Sequence, residues 1–164
     1  MTIDPIVTSM TQLRQLHESL LVLSKKKTAV LKQNETKALS QLLAAERKHV
    51  QAIDKVEKQR IKAVQQWYAA HSFRANDPTI SEMIELAEGE EQQKLQKAYE
   101  AFILVLADLK KQEALNGELT KQSLQFINLS LDMLQPSLQN LNYGGGSKPN
   151  EDTEQKRSVF DSKA

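Results

Sequence analysis

Leu13-Arg14-Gln15-Leu16-His17-Glu18-Ser19-Leu20-Leu21-Val22-Leu23-Ser24-Lys25-Lys26-Lys27-Thr28-Ala29-Val30 is the stretch that decides the fold class. Positions 13, 16, 20, 23, 27 and 30 step by three and four in alternation, the heptad spacing that turns one face of a helix toward a partner helix. Leucine fills four of these positions and Val30 the last. Lys27 interrupts the series, and its aliphatic stem can lie along the seam while the ammonium reaches outward. Toward the N-terminus the stripe continues through Met10 and Ile6. Asp4 is the expected N-cap, with Pro5 at the first helical position.

Toward the C-terminus no Gly or Pro occurs before Pro78. One unbroken helix over that length would extend roughly 108 Å, so a single domain has to fold it back. The apolar residues pause at Lys32-Gln33-Asn34-Glu35-Thr36, and Asn34 can take the left-handed conformation that ends a helix. A second helix is expected over residues 35–71, with Leu39, Leu42, Leu43, Val50, Ile53, Val56, Ile61, Val64, Trp67 and Tyr68 as its stripe. Glu46, Glu57 and Arg60 fall at or beside seam positions, where polar residues set register at some cost in stability. After a loop at residues 72–78, Thr79-x-x-Glu82 is a capping box. It opens a short helix with Ile80, Met83, Ile84 and Ala87 on one side, and Gly89 is expected to end it. The longest helix is expected over residues 90–135, with Leu95, Tyr99, Phe102, Leu106, Leu109, Asn116, Leu119, Phe126 and Met133 along its seam. Asn116-Gly117 marks a bend or a buried polar layer, and Pro136 is the expected stop.

The expected architecture is therefore all-α: three long antiparallel helices and one short helix, packed as in left-handed coiled coils. A bundle at residues 1–136 is followed by a tail at residues 137–164. Gly144-Gly145-Gly146-Ser147 and Lys148-Pro149-Asn150-Glu151-Asp152 give that tail the composition of a flexible, disordered linker.

Composition agrees. Ala, Glu, Lys, Leu and Arg supply 73 of the 164 residues, with only 5 Gly and 5% aromatics, the balance of long helices rather than of a β-sandwich. The absence of cysteine removes disulfide scaffolds, thiolate metal sites and Cys nucleophiles. No apolar run approaches the roughly 18 residues that span a bilayer. Met1-Thr2-Ile3-Asp4-Pro5 lacks the basic-then-apolar order of a secretory signal, so a cytoplasmic protein without membrane insertion is expected.

Charge is unevenly placed. Residues 6–71 carry 12 basic and 5 acidic side chains, and residues 72–136 carry 6 and 11, within a net charge of +1. Opposite signs favour packing the last long helix against the first hairpin. Lys25-Lys26-Lys27 has no interleaved aromatics, so these lysines are assigned to that pairing and no nucleic-acid partner is expected. Glu46-x-x-His49 has the spacing of one arm of a di-iron site, but such a site needs a second arm and further inward carboxylates. No phosphate loop or nucleophile elbow is present. No enzyme activity, metal or cofactor is expected.

The surplus is apolar. Between Leu119 and Leu134, Leu119, Phe126, Leu129 and Met133 fall on one side of the helix and Leu124, Ile127, Leu131 and Leu134 on the adjacent one. Together they cover about 220°, twice the roughly 100° stripe of a surface helix. Residues 101–107 are apolar all round. Internal burial, self-association and a partner helix could each cover this surface. A partner segment that folds as a helix in an apolar groove loses ordering entropy on binding, which keeps release accessible.

Several stretches together resemble the FlgN-type flagellar export chaperones of Gram-positive bacteria. They are Leu16-His17-Glu18-x-Leu20-Leu21-x-Leu23-Ser24-x-x-Lys27-Thr28, Leu109-Lys110-Lys111 with Asn116 and Leu119-Thr120, Leu124-Gln125-Phe126-Ile127-x-x-Ser130-x-Asp132-Met133-Leu134-x-Pro136, Asn142-Tyr143, and the ending Phe160-Asp161-Ser162-Lys163-Ala164. The resemblance implies a cytoplasmic chaperone that binds hook-associated proteins of the hook–filament junction, of FlgK and FlgL type. Such a chaperone shields their terminal segments and brings them to the flagellar type III export gate. It further implies that Leu124, Phe126, Ile127, Leu131 and Leu134 contact cargo, and that Tyr143 contacts the export gate. The competing expectation is a structural coiled-coil scaffold that hides its apolar surplus in a homodimer, a state also open to the chaperone without cargo.

Overall fold

A computed structural model describes residues 2–74 and 78–142, with side chains as far as Gln135. Four helices follow one another: α1 (Asp4–Gln33), α2 (Thr36–Ala70), α3 (Ile80–Leu86) and α4 (Gly89–Asn142). No strand occurs among the described residues, and the fold is the expected all-α bundle. It divides into two compact units, Met1–Gln125 and Phe126–Ala164, which are taken separately.

In the first unit α1 and α2 form a tightly packed antiparallel hairpin. Their reversal depends on Asn34, whose φ of 56° and ψ of 34° place it in the left-handed region, while its N–H reaches back to the carbonyl of Leu31. Asn tolerates this conformation better than any β-branched or bulky residue would. α4 runs alongside α1 in the same direction: Phe102 meets His17, and Asn116 meets Ser24. Successive long helices are thus antiparallel, and the first and last are parallel. The dry core lies at one end. Ile3, Ile6 and Met10 pack there with Ala63, Val64, Trp67 and Tyr68 of α2, Ile80, Met83 and Ala87 around α3, and Leu95 of α4.

α3 is only seven residues long, too short to hold its shape alone. The capping box is formed: the Glu82 N–H donates to Thr79 Oγ1, and the Thr79 N–H donates to the Glu82 carboxylate. Three expectations need correction here. Gly89 does not end α3: Ala87, in extended conformation, does so, and Gly89 with φ +58° turns the chain into α4. Asp4 is the first residue of α1 rather than its cap, which is Ile3. Pro136 does not stop α4, which continues to Asn142. A proline removes one backbone bond and crowds the carbonyl four residues earlier, which can kink a helix without terminating it.

The seam of α1 also differs from the expected one. Ile6, Met10 and Leu13 are buried as anticipated, but farther along the buried positions are His17, Ser24 and Leu31. Leu16, Leu20, Leu23 and Val30 are half-buried beside them. α1 has two neighbours, so its apolar leucines and its α4-facing positions occupy adjacent stripes. The second unit holds the last part of α4, from Phe126 onward. Of the expected tail at residues 137–164, residues 137–142 belong to α4 instead, and residues 143–164 lie outside the described residues.

Candidate functional site

Leu124, at the end of the first unit, is 57% exposed. In the second unit Phe126, Ile127, Leu131 and Leu134 are likewise exposed, together with Leu129 and Met133. Helical spacing puts these six residues of the second unit on one broad side of α4, with Asn128 and Asp132 opposite. Ser130, inside the apolar arc, donates its hydroxyl to the Phe126 carbonyl at 2.9 Å. That internal bond satisfies the hydroxyl and keeps the surface continuous for an apolar contact. Such a surface carries no chemistry of its own. What it offers is burial, at about 25 cal/mol for each Å² removed from water. Tyr143 and the ending Phe160-Asp161-Ser162-Lys163-Ala164 lie outside the described residues.

The first unit contains two further polar arrangements. Asn116, 2% exposed, donates through Nδ2 to the Ser24 carbonyl at 2.9 Å and to Ser24 Oγ at 3.0 Å, and its Oδ1 accepts from the Thr28 hydroxyl. Gln112 donates to Thr28 Oγ1, and Ser24 donates to Glu113 Oε1. Lys27 lies between Glu46 of α2 at 2.8 Å and Glu113 of α4 at 3.0 Å. The polar layer anticipated at Asn116 is therefore formed and ties all three long helices. Burial pulls the Lys27 ammonium down, but its hydrogen bonds to both carboxylates outweigh this and hold it above the ordinary lysine value. Burial pushes the Glu113 carboxyl up, and the bonds from Ser24 and Lys27 reverse that and hold it low.

The second arrangement is a cleft of about 540 Å³ between α1, α2, the start of α3 and α4. Arg60 lies along it, donating to Glu57 through Nε and Nη2. These hydrogen bonds, more than any other cause, keep the Glu57 carboxyl below its usual range. The seam positions of Glu57 and Arg60 are legible in the heptad pattern. The cleft is not, because it depends on where α3 begins.

Glu46-x-x-His49 is occupied structurally. Glu46 pairs with Lys27, while His49 uses Nδ1 with the Ala45 carbonyl and Nε2 with Ser19 Oγ. Among the described residues no group of three His, Cys, Asp or Glu side chains could hold a metal ion, and no helix is long and apolar enough to cross a membrane.

A family model described as FlgN protein matches residues 1–151. A protein of Bacillus subtilis (strain 168), described as the uncharacterized protein YvyG, is 40% identical over 164 residues, with all of both chains covered. No solved structure matches the chain at a significant level.

Proposed function

The chain belongs to the FlgN family of flagellar export chaperones, a chaperone family rather than an enzyme family, and on that premise we propose that it holds hook-associated proteins before their export. The observation that carries this reading is the exposed apolar side of α4 between residues 126 and 134. A terminal amphipathic segment of a FlgK-type or FlgL-type subunit covers these side chains, folds as a helix upon them and is kept from premature assembly. Leu124, Phe126, Ile127, Leu131 and Leu134 are the contact residues. The ordering entropy lost by the cargo keeps the complex releasable. Tyr143, just past α4, then serves the export gate. Because the cargo is captured before it leaves the cell, the chaperone works in the cytoplasm.

Calorimetry with a purified FlgK-type or FlgL-type subunit tests the proposal. A one-to-one complex is expected, with helix content rising on mixing. Ile127→Asp and Leu131→Asp should each abolish it while the free chaperone keeps its circular dichroism. Unfolding of those variants would show that the surface is core and would overturn the assignment. A permanent homodimer, the scaffold reading, would appear in light scattering as a mass that does not change with dilution and does not yield to cargo.

A further inference from the structure

Among the described residues of the second unit, α4 is the only element, so nothing there packs over its apolar side. Phe126, Ile127, Leu129, Leu131, Met133 and Leu134 are each between 51% and 71% exposed. Asp132 is the one charged residue between positions 126 and 142. Apolar surface of this kind marks an interaction site. The nearest polypeptide is the chain's own continuation, because α4 ends at Asn142 and the same unit runs on to Ala164.

That continuation has an order of its own. Residues 144–158 hold three Gly, three basic and three acidic side chains, and no Leu, Ile, Val, Met, Phe, Tyr or Trp. Val159 and Phe160 follow, the only large apolar side chains after Tyr143. Gly144-Gly145-Gly146 stands where the chain has to turn back on α4, and glycine takes reversed backbone conformations without steric cost. Val159 is 17 residues past Asn142. A polar, glycine-containing chain of that length has a root-mean-square reach of about 21–25 Å, and balanced charge does not extend it. Leu134 and Phe126 lie 8 and 16 residues before Asn142, or about 12 and 24 Å along the helix. Reach and span coincide. This is the condition under which a tether gives its highest effective concentration, in the millimolar range.

We propose that Val159 and Phe160 are the first occupant of the α4 end: the chain folds back, lays these two side chains on Ile127, Leu131 and Leu134, and has to be displaced before another polypeptide docks. The device presupposes that this surface binds cargo. Two side chains cover far less of it than a partner helix does, so the contact is weak, and the tether makes up for the small area. A millimolar contact at millimolar local concentration is closed about half of the time, which lowers the apparent affinity for a competitor about twofold, and more where the contact is tighter. The fold-back keeps empty chaperones from pairing through their apolar ends, yet it yields to an occupant that covers the whole side.

The test compares the full chain with the double variant Val159→Ser/Phe160→Ser. The methyl resonances of Ile127, Leu131 and Leu134 should differ between the two, equally at every protein concentration, while those of Ile53 and Ile103 in the first unit stay in place. A synthetic peptide of residues 154–164, added to the double variant at millimolar concentration, should move the shifted resonances back. Affinity for a purified FlgK-type or FlgL-type subunit should rise about two- to tenfold in the variant. Three results would overturn the proposal. Unmoved resonances would mean that the pair does not reach the surface. Differences that grow with protein concentration would assign the contact to a second copy of this chain. An unchanged cargo affinity beside clear methyl differences would mean that the pair does not compete with cargo. Failure of both proteins to bind either subunit, with the methyl differences and the peptide effect intact, would uphold the fold-back and remove the cargo role instead.

Discussion

Asn116 of α4 and Ser24 of α1 are joined twice, through the Asn116 amide to the Ser24 carbonyl at 2.9 Å and to its hydroxyl at 3.0 Å, across 92 residues of sequence. Both side chains are essentially dry, at 2% and 0% exposure. A buried amide in a helical seam contributes less to stability than a leucine would, but it has a partner in only one register. α4 is thereby fixed lengthwise against the hairpin at a point far from the dry core. Asn116→Ala removes the bonds to Ser24 and from Thr28, whose hydroxyls keep Glu113 and Gln112 as partners, so the cost is that of the lost bonds, about 0.5–1.5 kcal/mol each. Urea unfolding should show a lowered midpoint of that size. An unchanged midpoint would mean that water satisfies the layer as well as Asn116 does.

The two described glycines of α4 should respond oppositely to alanine. At Gly117 an added Cβ meets nothing within 4 Å, and the residue lies in mid-helix, where Gly costs about 0.5–1 kcal/mol relative to Ala. Gly117→Ala should therefore stabilise the chain by that amount. Gly89 has φ +58°, so Gly89→Ala forces an L-residue into the left-handed region at about 1–2 kcal/mol. Thermal unfolding of the pair, with shifts of opposite sign, checks both.

The features legible in the sequence are those that one residue decides through its own backbone chemistry. Asn34 ends α1 because it accepts a left-handed φ, and Thr79 with Glu82 opens α3 because the two side chains satisfy each other's N–H groups. The α1 seam was only half legible. Leu16, Leu23 and Val30 outrank His17 and Ser24 in hydrophobicity, but α1 touches α2 and α4 at once, and the positions facing α4 are the polar ones. Pro136 misled for a related reason. It is one helix breaker among good helix formers, and the helix gives up one hydrogen bond rather than its remaining turns. The apolar end of α4 was visible as a surplus of leucines, whereas the cleft beside Arg60 depends on where α3 begins and appears only in three dimensions.

The polar layer also predicts how stability depends on pH. Glu113 is held below its ordinary value of 4.5 in the folded chain, so its contribution is present above that value and is lost as pH falls through the lower folded value. Lys27 is held above 10.5, so its contribution is complete below 10.5 and is lost as pH rises through the higher folded value. Between those limits the Glu46–Lys27–Glu113 bridge is intact. Glu113→Gln should shallow the acid-side decline of the urea midpoint and leave the plateau flat. The Glu57 carboxylate, lowered chiefly by its bonds from Arg60, should maintain the remaining acid slope. An acid limb as steep in Glu113→Gln as in the unaltered chain would remove Glu113 from this account.

Burial separates the part of the chain that holds the fold together from the part that is left exposed. Met83 is 0% exposed and joins α3 to the cluster around Trp67. Seven residues cannot persist as a helix without such an anchor. Met83→Ala should cost about 2–5 kcal/mol through the cavity it leaves, and the only tryptophan should shift its emission to the red as α3 loosens. Ile127, by contrast, is 51% exposed. Ile127→Asp removes no buried contact, so the unfolding midpoint should move by no more than about 0.5–1 kcal/mol, the range of surface substitutions and helix propensity. Measured side by side, the two variants distinguish a core from a docking surface. If Ile127→Asp proved as damaging to the fold as Met83→Ala, residues 126–134 would be interior, and the apolar end of α4 would have no surface left to offer a partner.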